Sequence, residues 1–263
     1  MDIRLDGKKA LVTGASAGLG ESIARNLAMS GADVATVARR ADRLEQTAAE
    51  LSEASGQLVV PIAADVTVRD DCARLVETAR AELGQIDILV NCAGGSRTMP
   101  LEATEEDWRE AMEVNFWSKH RITHAVVPEM MERGFGRIIN ITGSLEPKNI
   151  PLYKDHSRKS HMNAASAAKA ALHIWAKGLS REVGAHGVTV NSIPPGRLIT
   201  EQTLYRYPTE EIRAEFCEGR IPLGRFGEPD ELASLVVFLS SDQAGYITGE
   251  LIHVDGGMRN YAF

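Results

Sequence analysis

The stretch Thr13-Gly14-Ala15-Ser16-Ala17-Gly18-Leu19-Gly20 decides the fold of this chain. It follows the apolar run Ala10-Leu11-Val12 and leads into a helix-forming segment, so it predicts a strand that turns directly into a helix. Gly14 lets the chain turn sharply, Gly18 lets a ligand approach the backbone, and Gly20 lets the helix pack on the strand. Because free amides at a helix start bind phosphates, the turn predicts a dinucleotide site. The contacts expected there are Gly14, Ser16, Gly18, Leu19 and Gly20.

Strand-like apolar runs alternate with helix-like segments along the rest of the chain. This pattern predicts an α/β fold with a single Rossmann-type, doubly wound parallel sheet and helices on both faces. No linker interrupts the pattern, so we expect one dinucleotide-binding domain over 1–263, with a substrate lid at 198–221. The predicted strands are 9–13, 33–38, 58–63, 86–91, 137–141, 188–193 and 251–254.

Composition narrows the class of partner. The net charge of −7 argues against a nucleic-acid surface. No apolar stretch is long enough to span a bilayer, and Met1-Asp2-Ile3-Arg4 lacks the basic and apolar regions of a secretory signal. We therefore expect a cytoplasmic protein without nucleic-acid or membrane partners. Cys72, Cys92 and Cys217 lack metal-ligand spacing, so they are interpreted as buried thiols and no metal is expected.

The order of further motifs resembles the short-chain dehydrogenase/reductase family over nearly the whole chain, in particular its 3-oxoacyl-acyl-carrier-protein reductases. The motifs are the glycine turn, Asp65-Val66, Asn91-Cys92-Ala93-Gly94, Val114-Asn115-Phe116, Ala168-Lys169-Ala170-Ala171-Leu172, 191–196, Thr248-Gly249 and Val254-Asp255-Gly256-Gly257. The resemblance implies a nicotinamide cofactor and hydride transfer to or from a carbonyl or alcohol carbon.

The resemblance also implies cofactor contacts beyond the glycine turn. Asp65 and Val66 are expected to flank the adenine, although Asp65 equally suits a turn or helix-cap acid. Asn91, Ala93 and Gly94 are expected to brace the sheet and line the cleft. The residues expected to hold the nicotinamide carboxamide are Pro195, Gly196, Leu198 and Thr200.

The end of the second predicted strand indicates which dinucleotide is bound. A 2′-phosphate needs a nearby cation, whereas a bare ribose prefers a carboxylate. Ala38 stands where NAD-using relatives carry an acid, and Arg39 and Arg40 follow it, with Arg39 placed to hold the extra phosphate. We therefore predict NADP(H). NAD(H) is the alternative, in which both arginines are solvated surface residues.

The family's usual proton donor is missing. In relatives a tyrosine four residues before the lysine supplies the proton, a spacing that puts both side chains on one helix face. Here Ala165 stands four residues before Lys169. The family's serine position falls on Gly143, with Ser144 one residue later, and Asn115 is the expected anchor of a water relay. The chain is therefore interpreted as an atypical member whose catalytic residues include Asn115, Ser144 and Lys169.

An inserted segment, 145–163, precedes that lysine-bearing helix and is interpreted as a loop beside the active site. It contains Tyr153 and His161, and we hypothesise that one of them replaces the missing phenol. An aromatic or imidazole group in a polar loop is more often a packing or solvated residue. The loop also carries more basic than acidic residues, which favours an anionic substrate, or marks a solvated loop.

Two functional interpretations stay open. In the first, the chain is an NADP(H)-dependent oxidoreductase with a non-standard proton donor, or with a water held by Asn115 and Lys169 in that role. In the second, it binds the cofactor without hydride transfer and serves regulation or assembly. A homodimer or homotetramer is expected through helices near 105–131 and 163–184, although their aromatic residues suit a monomer core equally well. The residues expected to line a substrate pocket, or to pack the lid down, are Tyr205, Tyr207, Ile212, Phe216 and Ile221.

Overall fold

Parallel strands joined by helices make up the centre of the chain, as predicted. The computed structural model describes residues 3–95, 98–99, 103–143 and 162–259. The strands are β1 (Lys9–Thr13), β2 (Asp33–Ala38), β3 (Val59–Ala63), β4 (Ile88–Asn91), β5 (Thr98–Met99), β6 (Gly136–Ile141), β7 (Met162–Asn163) and β8 (Val188–Ile193). The helices are α1 (Gly18–Met29), α2 (Ala41–Ser55), α3 (Arg69–Leu83), α4 (Glu105–Met112), α5 (Ser118–Arg133), α6 (Ala164–Val183), α7 (Glu201–Arg206), α8 (Glu210–Cys217) and α9 (Pro229–Ser240).

Six strands form one parallel sheet in the order β3-β2-β1-β4-β6-β8. The chain runs outward from β1 to β3 and then crosses back to β4 on the other side of β1, so the strand order reverses between β1 and β4. Open α/β sheets bind ligands at such a reversal, beyond the carboxyl ends of the strands. The short strands β5 and β7 pair antiparallel as a separate ribbon. The predicted doubly wound fold is confirmed.

Helices cover both faces of the sheet. Along β1, Ala10 and Val12 pack into one apolar cluster and Leu11 into the other, as the alternation of side chains in a strand requires. The first cluster includes Leu27 of α1 and Val236 of α9. On the opposite face, α3, α5 and α6 supply the side chains of the second cluster. None of the helices in the described ranges has both the length and the apolar content of a membrane span.

The glycine turn joins β1 to α1 through close backbone contacts. Gly14 has φ +74°, and its N–H donates a hydrogen bond to the carbonyl of Val37 at 2.8 Å. A Cβ atom at Gly20 would overlap the carbonyl oxygen of Gly14 and lie 3.1 Å from Cα of Ala15. These contacts explain why glycine is needed at both positions.

The predicted seventh strand, 251–254, is wrong as a regular strand. The segment runs parallel beside β8 but forms only isolated bridges, at Leu251 and Val254. Pro194 has no N–H group to donate to this segment, so the ladder is interrupted there. It resumes where Val254 donates to the carbonyl of Pro194 and Gly196 donates to that of Val254. The predicted helix 105–131 is likewise divided, because a π-helical turn at Glu113–Trp117 separates α4 from α5.

A pair of glycine substitutions tests the tight β1–α1 contact. Gly20→Ala is expected to lower the free energy of unfolding by about 2 kcal/mol or more, because the added methyl group would meet backbone atoms that cannot move aside. Gly178→Ala is the matched control, since Gly178 lies exposed inside α6 with open space around it. This control should gain up to about 1 kcal/mol. Urea denaturation measures both, and equal stability of the two variants would contradict the contact.

Candidate active site

The first turn of α1 offers backbone amides to a ligand. Ala17 precedes the helix and its side chain makes no capping hydrogen bond, so the N–H groups of the first turn are not capped by it. Gly18 has φ +58°, and a Cβ atom there would lie 3.5 Å from Cγ2 of Thr200. The turn therefore faces the loop after β8 across a narrow gap. Ser16 is buried in the turn, and Leu19 is partly buried and packs on the core.

Thr13 connects the glycine turn to the end of β4. Its Oγ1 accepts hydrogen bonds from the backbone N–H groups of Cys92 and Ala93, both at 3.1 Å. A Cβ atom at Gly14 would lie 3.0 Å from the backbone of Ala93. Since β1 and β4 flank the reversal of strand order, these contacts place Ala93 and Gly94 at the same cleft as the turn.

Asparagine side chains brace the carboxyl edge of the sheet. Nδ2 of Asn91 donates hydrogen bonds to Oγ1 of Thr123 on α5 and to Oδ1 of Asn140 on β6, both at 3.0 Å. Nδ2 of Asn191 on β8 donates to the carbonyl of Ile247 at 2.8 Å. The ends of β4, β6 and β8 are thereby linked to each other or to the segments packed around them.

The arginines after β2 lie at the surface beside the cleft. The side chain of Arg39 is 77% exposed, and its Nη1 lies 3.9 Å from Oδ2 of Asp65. Arg40 is exposed and precedes α2. Asp65 accepts hydrogen bonds from the backbone N–H and the hydroxyl of Thr67, at 2.9 and 2.7 Å, so its side chain closes a turn. Val66 is buried in the second apolar cluster.

The loop after β8 is held by backbone contacts. The N–H of Gly196 donates to the carbonyl of Val254 at 2.8 Å, and a Cβ atom at this glycine would press against Asp255. Leu198 is buried, and Thr200 caps α7 by accepting the N–H of Thr203. Pro195, which precedes Gly196, bridges Val254. These contacts fix the position of the loop opposite the glycine turn.

Asn115 lies in the π-helical turn and is fully buried. Its Nδ2 donates to the carbonyl of Ala111 at 2.9 Å, and its Oδ1 accepts the N–H of Gly95 at 3.1 Å. A Cβ atom at Gly94 would lie 3.2 Å from the same oxygen. The amide thus connects the turn between α4 and α5 to the chain that follows β4.

Lys169 projects from α6 toward the end of β6. A Cβ atom at Gly143 would lie 3.2 Å from Nζ of Lys169, so the ammonium group occupies the space beside this glycine. Burial lowers the pKa of Lys169, and the nearby Cys92 opposes that shift. Ala165, one helical turn earlier on α6, is buried and offers only a methyl group. On this face of α6, the polar group beside Gly143 is therefore the amine of Lys169, and Ala165 adds none.

A second lysine, Lys119 on α5, was missed by the sequence analysis. Its side chain is 1% exposed, and its Nζ donates a hydrogen bond to the carbonyl of Ile141 at 2.6 Å. Burial and the charge of Lys169 lower its pKa to about 7, against the effect of Cys92. The signal that would have found it is its position four residues after Asn115, because residues with this spacing lie on one helical face.

The titratable groups next to the two lysines are neutral at pH 7. Burial raises the pKa of the Cys92 thiol to about 11. Burial also lowers the pKa of His173 to about 4, with the charge of Lys119 acting in the same direction. Nε2 of His173 lies 2.7 Å from Oγ1 of Thr142, the residue after β6. Neither group supplies an anion to balance the lysines.

Three of the predicted catalytic residues cannot be placed. Ser144, Tyr153 and His161 lie outside the described residues, as does most of the segment 145–163. The hypothesis that Tyr153 or His161 replaces the phenol stays a prediction. Of that segment, only the backbone of Met162–Asn163 is described, as strand β7.

The expected lid residues separate into two groups. Tyr205 is 89% exposed and Ile212 is also exposed, so neither contributes to a packed interior. The rings of Tyr207 and Phe216 pack against that of Phe226, with centroids 5.0 to 5.7 Å apart. Ile221 is buried in the same small cluster. Tyr207, Phe216 and Ile221 therefore pack within the segment 198–221, whose role as a lid stays a prediction.

Aromatic side chains gather on the surface formed by α5 and α6. Phe116, Trp117 and His120 contact one another, and Trp175 of α6 joins them. Trp117 is exposed despite these contacts. Self-association is predicted through these helices and stays a prediction.

Comparison with known sequences identifies relatives over nearly the whole chain. The profile of the family described as "Enoyl-(Acyl carrier protein) reductase" matches residues 14–259. The chain is 36% identical over 255 residues to the 3-oxoacyl-(acyl-carrier-protein) reductase FabG of Haemophilus influenzae, covering 97% of this chain and 99% of that protein. It is 38% identical over 256 residues to the acetoacetyl-CoA reductase of Allochromatium vinosum, covering 95% and 97%.

Solved structures give the same result. The L-sorbose reductase of Gluconobacter frateurii, solved with NADPH and L-sorbose, superposes with a TM-score of 0.89 at 33% identity, covering 99% of this chain and all of the other. A 7α-hydroxysteroid dehydrogenase solved with NADH and a 7-oxo bile acid superposes with a TM-score of 0.88 at 30% identity, covering 99% and 97%. These proteins share the fold and differ in their nucleotide.

The burial of Lys119 predicts a specific pH dependence of stability. Its pKa is about 7 in the folded chain and about 10.4 when unfolded, so below pH 7 both states hold the proton and the folded state bears the full cost of burial. Between these pH values the unfolded state binds more protons, and stability rises with pH. Lys119→Met should therefore raise the free energy of unfolding by more than about 1.4 kcal/mol at pH 6 and by much less at pH 10.

Urea denaturation of the two proteins at both pH values gives this difference. Lys177→Met, which changes a half-exposed lysine of α6, is the control and should show no such pH dependence. An equal effect of Lys119→Met at pH 6 and pH 10 would contradict a lowered pKa.

Proposed function

Because the chain belongs to the short-chain dehydrogenase/reductase family, we propose that it is an NADP(H)-dependent oxidoreductase. It moves a hydride between a nicotinamide and the carbon of a carbonyl or alcohol substrate. One observation carries the proposal: the glycine turn and the Lys169 ammonium open onto the same carboxyl edge of the sheet. The relatives reported above are named as reductases or dehydrogenases, which supports this reaction type.

The residues present fit a pyridine dinucleotide. The amides at the start of α1 suit a pyrophosphate, and Gly18 adds no side chain over them. The ammonium group of Lys169, beside Gly143 after β6, would hold ribose hydroxyls of the nucleotide. When bound, the nicotinamide supplies or accepts the hydride. The chain's own contribution is to hold the two reactants and to move the proton.

The charge after β2 supports NADP(H) over NAD(H). Within the described ranges, Asp65 is the one acid at ion-pair distance from Arg39, and the Arg39 side chain is mostly exposed, so we infer that the guanidinium is available to a 2′-phosphate. Arg43, by contrast, is engaged in a two-pronged hydrogen bond with Glu201. NAD(H) is the alternative, because the relatives were solved with NADPH in one case and NADH in the other.

Arg39→Gln tests this choice. Loss of one charged hydrogen bond is worth about 1.5 to 3 kcal/mol, so the dissociation constant for NADPH should rise roughly tenfold or more while that for NADH stays the same. Nucleotide fluorescence titration measures both constants. Arg43→Gln is the matched control and should leave the NADPH to NADH ratio unchanged. Equal affinities for the two nucleotides in the parent protein would refute the NADP(H) assignment.

The second candidate is a cofactor-binding protein without turnover, serving regulation or assembly. The observation in its favour is the small size of Ala165 and Gly143, the two positions where the family resemblance places hydroxyl side chains. The enzyme is the better-supported function, because burying Lys119 and Lys169 in this cleft is costly and a pure binding protein has no evident need for both.

Turnover separates the two candidates. NADPH absorbance is followed with a panel of ketones, quinones and 3-oxoacyl thioesters. The thioesters are included because two relatives are named 3-oxoacyl-(acyl-carrier-protein) reductase and acetoacetyl-CoA reductase. The parent should oxidise NADPH with at least one carbonyl. Lys169→Met should lower kcat/KM by roughly a hundredfold or more, whereas Lys177→Met should not. Binding of NADPH without turnover on any carbonyl would establish the second candidate instead.

Other features of the proposal rest on the sequence. An anionic substrate is proposed from the basic segment 145–163, and a homodimer or homotetramer from the aromatic face of α5 and α6. The cytoplasmic location stays a prediction.

A further inference from the structure

The burial of Lys119 carries a large free-energy penalty. A lysine with its side chain out of water loses the hydration of its charge, and such residues are rarely buried unless paired. Within the described part of the chain the one hydrogen bond of its Nζ goes to the neutral carbonyl of Ile141. The titratable groups facing it there are Lys169, Cys92 and His173, none of which is an anion at neutral pH.

The place of Lys119 is as informative as its burial. Ile141 ends β6, and β6 pairs directly with β4. A Cβ atom at Gly94, just beyond β4, would lie 4.0 Å from Nζ of Lys119. The amine therefore sits between the carboxyl ends of two central strands. The backbone of Lys119 lies on α5, one helical turn after Asn115.

Two lysines thus approach the same space from different helices. Nζ of Lys169 comes from α6 and lies beside Gly143, while Nζ of Lys119 comes from α5 and lies beside Gly94. Both flanking residues are glycines, so no side chain from them fills the space next to either amine. Ala165 on α6 adds only a methyl group. Among the described residues beside the amines, Gly94 is exposed and Gly143 is partly exposed.

We propose that Lys119 donates the proton to the carbonyl oxygen of the substrate, in the role that the missing tyrosine has in relatives. This inference rests on the proposed oxidoreductase function. Lys169 keeps a binding role beside it, and the carbonyl of Ile141 positions the amine through one of its three N–H bonds.

The proton transfer balances without a further reactant. As the substrate carbon accepts the hydride, the C=O π pair moves to oxygen, an N–H bond of Lys119 breaks and an O–H bond forms. A neutral amine remains and regains its proton from water. In the oxidation direction the neutral amine accepts the proton of the alcohol. An amine whose pKa is about 7 holds comparable amounts of both forms at neutral pH, which suits a group that must give up a proton and recover it.

The test compares Lys119→Met, Lys119→Arg and Lys177→Met in NADPH-dependent carbonyl reduction. The parent should show kcat/KM that is level below about pH 7 and falls above it, because the protonated amine is the active form. Lys119→Met should lower kcat/KM by roughly 10²-fold to 10⁴-fold and abolish the fall of kcat/KM above pH 7, the basic limb of the profile. Lys119→Arg should retain charge but displace the limb far upward, since a guanidinium does not lose its proton in this range. Lys177→Met should match the parent.

Circular dichroism and NADPH titration of each variant show that the fold and the cofactor site are intact. Undiminished rates with the limb retained in Lys119→Met would overturn the inference while leaving the proposed function in place. Loss of the limb in Tyr153→Phe or His161→Ala, with the limb retained in Lys119→Met, would assign the proton to the inserted segment instead. A parent that binds NADPH and turns over no carbonyl would overturn the proposed function, and this inference with it.

Discussion

The architecture of the cleft depends on one backbone contact, between Gly20 at the start of α1 and Gly14 at the end of β1. No side chain fits between them, so α1 begins almost on top of the strand and its first amides point over the carboxyl edge of the sheet. Thr13 then fixes the end of β4 to the same turn through two hydrogen bonds. The ligand-binding edge is thus built from main-chain groups whose positions the turn dictates.

The side chains at the cleft are basic, whereas the protein as a whole is acidic. The chain carries a net charge of −7, yet the described groups beside the ends of β4 and β6 include two buried lysines without an acidic partner. Two amines held close together lower each other's proton affinity and attract an electron-rich oxygen. The same arrangement would stabilise negative charge that develops on a carbonyl oxygen during reduction. The large apolar clusters on both faces of the sheet offset the cost of burying them.

The sequence predicted the sheet better than the site. Strands 9–13, 33–38 and 188–193 have the predicted bounds, because their apolar runs are bracketed by glycine, proline or polar residues. The segment 251–254 forms only isolated bridges because Pro194 in the chain beside it lacks an N–H group, an effect that the apolar pattern does not register. Lys119 was missed because Ser118, Lys119 and Arg121 form a polar run typical of an exposed helix face. Its burial follows from how α5 packs after the π-helical turn, which is a tertiary effect.

We infer one arrangement of the cleft, in which the main-chain amides at the glycine turn and Lys169 hold a dinucleotide and Lys119 faces the substrate oxygen beside the nicotinamide. A crystal structure of the protein with NADP⁺ and a carbonyl or alcohol ligand tests it most directly. We expect the pyrophosphate on the amides at the start of α1, the nicotinamide beside Lys169, and the ligand oxygen within hydrogen-bond distance of Nζ of Lys119. A pyridine ring bound away from the ends of β4 and β6 would contradict it.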